Sequence, residues 1–291
     1  MVERGLVLEG GGLRGQYTAG VLDAFLDAGL LFPYVIGVSA GSSIGCSFIS
    51  RQRGRNLEII EKYRNDPRYL SWRNFLTTGS LFGMDFLFGE IPRSLVPFDF
   101  TTFEGSPSRF VTVCTDCGTG RAVYYEKDAD HLLALRASAA LPFLSRKVLF
   151  DGRELLDGAI ADAIPLTRAV SEGYARNVVV LTRPAGYRKK EEAPFLARFV
   201  YGDRPALVTA LGTLVARYNE QMELVEAEEE RGSVLAIRPS RDLGISRTEK
   251  SVAKLRALYE LGLEDGEKAA AGLAAEGLTA ERPAAAAPVA E

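Results

Sequence analysis

The chain has 291 residues, 47% of them hydrophobic, and a formal net charge of −3 at pH 7. That is enough apolar material for one large α/β core, or a core plus an extension, and it leaves no global electrostatic footprint for nucleic acid. Three cysteines, an odd and small number, fit a reducing compartment better than a disulfide scaffold.

Residues 1–4 lead almost directly into a short strand. No apolar stretch there is long enough for a signal peptide, and no run elsewhere reaches membrane-spanning length. A cytoplasmic protein, at most peripheral at a membrane surface, is expected. Leu6-Val7-Leu8 forms the strand. Glu9 follows, then the loop Gly10-Gly11-Gly12-Leu13-Arg14-Gly15. A helix runs on through Ala19, Val21, Leu22, Phe25 and Leu26, apolar residues at helical spacing. The loop also matches the dinucleotide fingerprint Gly-x-Gly-x-x-Gly. That fingerprint needs an acid at the end of the second strand to hold a ribose. Here the second strand, Val35-Ile36-Gly37-Val38, ends at Ser39, which argues against a nucleotide. Consecutive glycines have another use: without Cβ atoms, their N–H groups can converge on one anion. Beside Ser39 such a loop would be an oxyanion hole.

Ser39 lies in Gly37-Val38-Ser39-Ala40-Gly41, and small residues follow through Ser47. Strand, Ser and helix, with glycine two residues to either side, is the pattern of the nucleophile elbow. Gly37 and Gly41 keep Cβ atoms out of the sharp corner, and the helix N-terminus favours negative charge there. A glycine-rich turn with no chemistry gives the same pentapeptide, so the motif alone leaves both readings open.

Residues 51–63 predict a polar-faced helix. Residues 69–103 carry Trp72, Phe75, Phe82, Phe86, Phe88, Phe98, Phe100 and Phe103 with no clean period. They read as an irregular segment packed over the core, or as an apolar wall or lid for an acyl chain. Residues 109–116 and 122–125 predict a hairpin around Cys117-Gly118-Thr119-Gly120. Cys114 and Cys117 flank its bend, but a zinc site takes about four ligands, and the rest of the chain offers one Cys and one His. No metal is expected.

His131, the only histidine, opens an apparent helix and reads as a capping or surface residue. The base for Ser39 is then to be found among other types, with a carboxylate the obvious choice. Asp157 follows Leu155-Leu156 and precedes Gly158-Ala159. A carboxylate at a strand end can be partly desolvated and its pKa raised into the range of a useful base. Asp151 reads as a hairpin-turn residue, and Asp162 as a cap or solvated partner of the next helix.

Beyond residue 175, residues 177–182 predict another strand of the same sheet. Arg183-Pro184-Ala185-Gly186-Tyr187-Arg188-Lys189-Lys190 reads as a basic loop, solvated or in contact with lipid headgroups. Residues 207–230 predict one long helix, 234–237 a short strand at the sheet edge, and 251–273 a helix with Val252, Leu255, Leu258 and Tyr259 on one stripe. Residues 276–291, with Ala284 to Ala287 between prolines, read as a disordered tail.

Four motifs occur in order: Gly-Gly-Gly-x-Arg-Gly at 10–15, Gly-x-Ser-x-Gly at 37–41, Ala-Ser-x-Ala-x-Pro at 137–142 and Asp-Gly-Ala at 157–159. Together they resemble the patatin-like phospholipase family in its bacterial branch, over roughly the first two-thirds of the chain. The resemblance implies an α/β fold: a three-layer α/β/α hydrolase domain, here over residues 1–190, with a mostly helical C-terminal extension over 191–275. It implies a Ser–Asp dyad without histidine, mapping the nucleophile to Ser39 and the base to Asp157. It maps the oxyanion hole to Gly10, Gly11, Gly12 and Leu13, with Arg14 in support and the N–H of Ala40 beside it. The function implied is a serine lipid acyl hydrolase that needs no cofactor, takes a lipid or other acyl ester, and touches a membrane transiently. An acyltransferase or esterase for another acyl donor, and a weakly active lipid-binding or regulatory protein, are the alternatives.

Overall fold

Alternation along the strands decides the layers. In β1 (Gly5–Leu8), Leu6 and Leu8 enter one core cluster and Val7 another, and all three are fully buried, as in a parallel strand covered on both faces. The computed structural model describes residues 4–127, 130–190 and 195–275; the tail expected over 276–291 lies outside them. After β1 come α1 (Gln16–Asp27), β2 (Tyr34–Val38), α2 (Ala40–Ile49), α3 (Arg55–Tyr63) and α4 (Trp72–Thr78). A π-helical stretch (Phe86–Leu95) precedes α5 (Phe100–Gly105), β3 (Arg109–Asp116), β4 (Ala122–Glu126) and α6 (His131–Ser138). Next are β5 (Val148–Phe150), β6 (Arg153–Asp157), α7 (Leu166–Ser171) and β7 (Asn177–Val180). The chain continues with α8 (Phe195–Val200), α9 (Pro205–Gly212), α10 (Leu214–Glu230), β8 (Val234–Ile237) and α11 (Val252–Ala275).

The sheet is mixed. Strands β3, β2, β1, β7 and β8 lie side by side in parallel, while β4 and β6 run antiparallel to β3, and β5 antiparallel to β6. On one face, α1, α2 and α11 pack through Phe25, Ile44 and Leu255 onto Leu6, Leu8 and Phe110. On the other, α7 and α10 pack through Leu166, Tyr218 and Met222 onto Val7, Ile36 and Val179. The result is a three-layer α/β/α fold with a helical C-terminal region.

Register places two chain ends together. β4 pairs with Val111 to Thr115 of β3, so β2 and β6, which overlap that span, must share the opposite edge. There Val38 stands opposite Val113, and Asp157 stands opposite the next residue, Cys114. Because β2 and β6 run in opposite directions, they meet end to end, one finishing into Ser39 and the other at Asp157.

The C-terminal region is built into the same body. β8 extends the sheet beside β7, and α11 lies in backbone contact with α1: a Cβ on Gly262 would meet the Tyr17 carbonyl at 2.1 Å. Tyr17 donates its hydroxyl to Asp265 (3.1 Å), and Tyr259 donates to Asp23 (2.7 Å).

Three expectations change. Residues 207–230 form two helices, because the backbone of Thr213, after Gly212, turns away at φ −100° and ψ 0° between α9 and α10. The aperiodic stretch 69–103 holds α4, the π-helical stretch and α5. Pro92 inside the π-helical stretch removes a backbone donor, and a wider i→i+5 turn accommodates that loss. His131 is not a surface cap: its ring packs against Phe103 and Phe110, with centroids 4.4 and 5.4 Å away. Neither ring nitrogen has a hydrogen-bond partner among the described residues, and burial pulls its pKa down to about 4. No helix of the described residues is long and apolar enough to cross a membrane.

Candidate active site

Where β2 turns into α2, Ser39 adopts φ 55° and ψ −121°, a conformation that a non-glycine residue holds only when its surroundings over-determine it. They do so here. A Cβ on Gly41 would lie 2.6 Å from the Leu8 carbonyl oxygen, and one on Gly37 would lie 2.7 Å from the Ser42 nitrogen. The start of α2 is therefore pressed against both β1 and β2, and Ser39 has no room to relax.

Ser39 Oγ donates to Asp157 Oδ2 at 2.7 Å. Asp157 Oδ1 accepts the N–H of Ala159 at 2.8 Å, so both carboxylate oxygens are engaged. The two residues are 6% and 1% exposed, respectively. Burial raises the Asp157 pKa to about 6, against the opposing pull of the Ala159 and Ser39 hydrogen bonds. The other carboxylates weighed from the sequence lie elsewhere. Asp151 sits at φ 52° in the exposed β5–β6 turn, and Asp162 accepts from Tyr124 (2.9 Å) and Gln221 (2.6 Å).

The last residue of α6 and the turn after it clamp both members of the pair. Ser138 Oγ accepts the N–H of Ser39 at 2.8 Å and donates to the Val113 carbonyl at 2.6 Å, bridging β2 and β3 where their ladder ends. Two residues on, the Ala140 carbonyl accepts the N–H of Asp157 at 2.8 Å. The sequence shows Ser138 only as part of a motif. Its bridging position depends on strands that come together from distant segments.

The glycine loop lies beside Ser39, but its N–H groups are not equivalent. Leu13, placed by the family resemblance in the oxyanion hole, donates instead to the Arg247 carbonyl (3.1 Å), and Arg14 donates its N–H to the Gly11 carbonyl (3.3 Å). No acceptor among the described residues takes the N–H groups of Gly11, Gly12 or Ala40. Gly12 has φ +56°, and a Cβ there would meet the Arg247 carbonyl oxygen at 2.8 Å, so two constraints demand glycine. Gly10 packs on Val38 and Ser39. Glu9, just before the loop, is buried and accepts from the N–H of Thr182 (2.5 Å), the Thr182 hydroxyl (3.0 Å) and the Tyr218 hydroxyl (2.9 Å). It ties the loop to β7 and α10, a role that sequence spacing does not reveal.

Above Ser39 opens a cavity of about 170 Å³. Gly12, Leu13, Ser39 and Ala40 border it at one end, and Tyr69, Phe82, Phe88, Ile91, Phe98 and Leu135 supply much of its apolar wall. Of the aromatic residues in that segment, Phe82, Phe88 and Phe98 line the cavity, Phe86 and Phe103 are buried in the core, and Trp72 is exposed. Cys46 also borders the cavity, with its thiol pushed up to about 12 by burial. Such an arrangement can hold an apolar chain, present a carbonyl to Ser39, and take the serine proton on Asp157.

Comparison with known proteins agrees in extent with these elements. A family model described as Patatin-like phospholipase matches residues 6–170, and a second, described as Domain of unknown function (DUF6363), matches residues 204–275. The uncharacterized protein YjjU of Escherichia coli (strain K12) is 29% identical over 266 residues, covering 88% of this chain and 74% of that one. Among solved structures, the crystal structure of VipD from Legionella pneumophila aligns with a TM-score of 0.47 and 14% identity, covering 92% of this chain and 67% of that one.

Proposed function

We propose, on the premise that the chain belongs to the patatin-like phospholipase family, whose members hydrolyse lipid esters, that it is a serine acyl hydrolase working through Ser39 and Asp157 alone. The observation that carries the reading is the 2.7 Å hydrogen bond from Ser39 Oγ to a buried Asp157, at the floor of an apolar cavity. As Ser39 Oγ bonds to the ester carbonyl carbon, Asp157 takes the hydroxyl proton. The oxyanion is held by the N–H groups of Gly11, Gly12 and Ala40 at the positive end of α2. The tetrahedral intermediate collapses, the C–O bond to the alcohol breaks, and Asp157 returns its proton to the leaving oxygen. Water then adds to the acyl-serine, giving its proton to Asp157. The acyl–Oγ bond breaks and Ser39 recovers a proton. His131 takes no part: it is stacked on aromatic rings, and burial disfavours its charged form.

A serine-reactive fluorophosphonate tests the reading directly. Wild-type protein should be labelled at Ser39 and should hydrolyse a p-nitrophenyl ester and a phospholipid. Ser39→Ala, which fits the same corner, should fold but lose both labelling and turnover. Wild-type rates in that variant would assign the chemistry to another residue.

A further inference from the structure

Around the glycine loop beside Ser39 stand four cations from four separate segments, all anchored on the turn from Glu9 to Gly12. Arg14 follows the loop itself. Arg183 follows Thr182, whose N–H donates to Glu9, and shares a small cavity with Arg14 at the ends of β1 and β7. Lys189 lies with Nζ 3.9 Å from the ring of Tyr218, whose hydroxyl donates to Glu9. Its backbone is fixed by reciprocal hydrogen bonds with the Asn219 side chain (2.9 and 3.1 Å). Arg247 packs its Cβ and carbonyl against Gly12 and accepts the N–H of Leu13.

None of these four side chains makes an ion pair or donates a hydrogen bond among the described residues. Arg14 is only 9% exposed, and its Nε, like that of Arg183, is buried without a partner. Buried donors are nearly always satisfied, and neighbouring like charges repel. Arg183 and Arg247 oppose the charge on Arg14, and Arg247 and Arg14 oppose that on Lys189. The carboxylates nearby among the described residues are Glu9, Asp157 and Asp242, the last lining the small cavity shared by Arg14 and Arg183. Glu9 is tied by hydrogen bonds to Thr182 and Tyr218 and its charge favours the cationic forms of Arg14 and Lys189, but it makes no ion pair with either among the described residues. A fold that gathers unpaired cations beside a reactive serine is complementary to an anion that arrives with the substrate.

We propose that the C-terminal region completes the active site, with Arg247, Arg183 and Lys189 forming a cationic subsite for the phosphate of a lipid ester whose headgroup carries net negative charge. The inference rests on the hydrolase reading above and adds the substrate class. The cavity takes the acyl chain on one side of Ser39, and the cations take the phosphate on the other. Arg247 packs on Gly12, which borders the same cavity as Ser39, and both Arg247 and Lys189 act electrostatically on Asp157. A zwitterionic headgroup fits less well. Two nearby rings that could receive a quaternary ammonium, Tyr187 and Tyr218, already carry Arg183 and Lys189. The subsite also assigns a role to residues 204–275, which a family model describes without a function: they deliver Arg247 and lock the glycine loop through its carbonyl.

The test compares short-chain phosphatidylglycerol with phosphatidylcholine of the same acyl length, alongside p-nitrophenyl butyrate. The full chain and the variants Lys189→Gln, Arg247→Gln and Arg247→Lys are assayed. The wild type should prefer the anionic lipid by roughly tenfold or more in kcat/KM, the scale of a charge-assisted contact, with KM carrying most of the difference. Each Gln variant should shrink that preference several-fold, and Arg247→Lys should restore part of it. Hydrolysis without headgroup preference, or variants that lower all substrates equally, would overturn the subsite while leaving the hydrolase reading intact. Failure of the wild type on every ester and with the fluorophosphonate would overturn both. Inorganic phosphate supplies a further arm. If it inhibits p-nitrophenyl butyrate hydrolysis in the wild type but not in Arg247→Gln, and no headgroup preference is seen, the ligand is free phosphate and the headgroup assignment is wrong.

Discussion

The Ser39 corner and the 69–103 segment border the same cavity and are built in opposite ways. The corner is held by main-chain contacts. A Cβ on Gly41 would press on the Leu8 carbonyl of β1, the Asp157 N–H donates to the Ala140 carbonyl, and the Ser39 N–H is held by the Ser138 hydroxyl, which in turn donates to the Val113 carbonyl of β3. The segment is held by side chains on short helices, and it runs from the buried Ile91 to Trp72 and Leu76, which are 68% and 84% exposed. A corner fixed by backbone admits almost no substitution. A wall made of apolar surface can change shape while the core beneath it stays packed. Chemistry is therefore expected to reside in the first and chain selectivity in the second.

Asp157→Asn gives the largest expected effect. The amide keeps the size of the side chain but cannot take a proton, and kcat should fall on the order of 10⁴-fold. Wild-type kcat/KM should rise with pH through about 6, the pKa to which burial lifts Asp157, with no histidine limb. The same shift has a sign for stability. The folded-state pKa lies above the unfolded value of about 3.9, so the neutral acid favours folding at low pH. That contribution is lost as pH rises through about 6, on the order of 3 kcal/mol. Asp157→Asn should therefore be inactive yet melt higher than wild type at pH 8, and a lower melting temperature would contradict the burial argument.

Gly12→Val comes next. A side chain at φ +56°, aimed at the Arg247 carbonyl, must move the loop, and kcat should drop by about 10²–10³, the loss expected for one oxyanion donor. Unchanged kcat in a folded variant would remove the loop from the site. Ser138→Ala leaves the Ser39 N–H without its buried acceptor. Its effect should be about 10- to 100-fold, in kcat rather than KM and without loss of fluorophosphonate labelling. An equal change in both constants would mean that the hydroxyl only supports packing.

On the wall the effects shrink. Phe88→Ala enlarges the cavity and should alter the ratio of long-chain to short-chain turnover by no more than roughly tenfold, while p-nitrophenyl acetate is hydrolysed as before. His131→Ala should cost stability through the space left between Phe103 and Phe110 and leave activity within a few-fold of wild type. If these two variants rivalled Asp157→Asn, the division between corner and wall would collapse.

The same division explains what could be read from the sequence. Leu6-Val7-Leu8, the glycine loop and Gly37-Val38-Ser39-Ala40-Gly41 obey local rules, since strand alternation, Cβ exclusion and helix entry act within a few residues. They made the start of the sheet and Ser39 legible. Asp157 was legible as a carboxylate at a strand end, but its meeting with Ser39 depends on β2 and β6 abutting on one edge of β3. Ser138 was visible only as part of the 137–142 motif and Lys189 only as part of a basic loop, while Glu9 and Arg247 went unmarked, because the partners that position all four lie far away in sequence. The assignment of Leu13 as an oxyanion donor missed Arg247 for the same reason. Residues 69–103 showed only composition, because short helices and a π-helical turn leave no steady period. His131 looked like a surface cap because its aromatic cage comes from α5 and β3.

The pairing of α1 with α11 has a consequence in time. Tyr17 and Asp265, hydrogen-bonded in the folded chain, are 248 residues apart in sequence. Translation delivers the glycine loop and Ser39 well before Arg247 and α11. Until α11 leaves the ribosome, Leu13 has no Arg247 carbonyl to bind, α1 lacks its partner, and the loop beside Ser39 lacks that support. The loop beside Ser39 therefore reaches its folded arrangement only after α11 has been made, although Ser39 itself is translated far earlier.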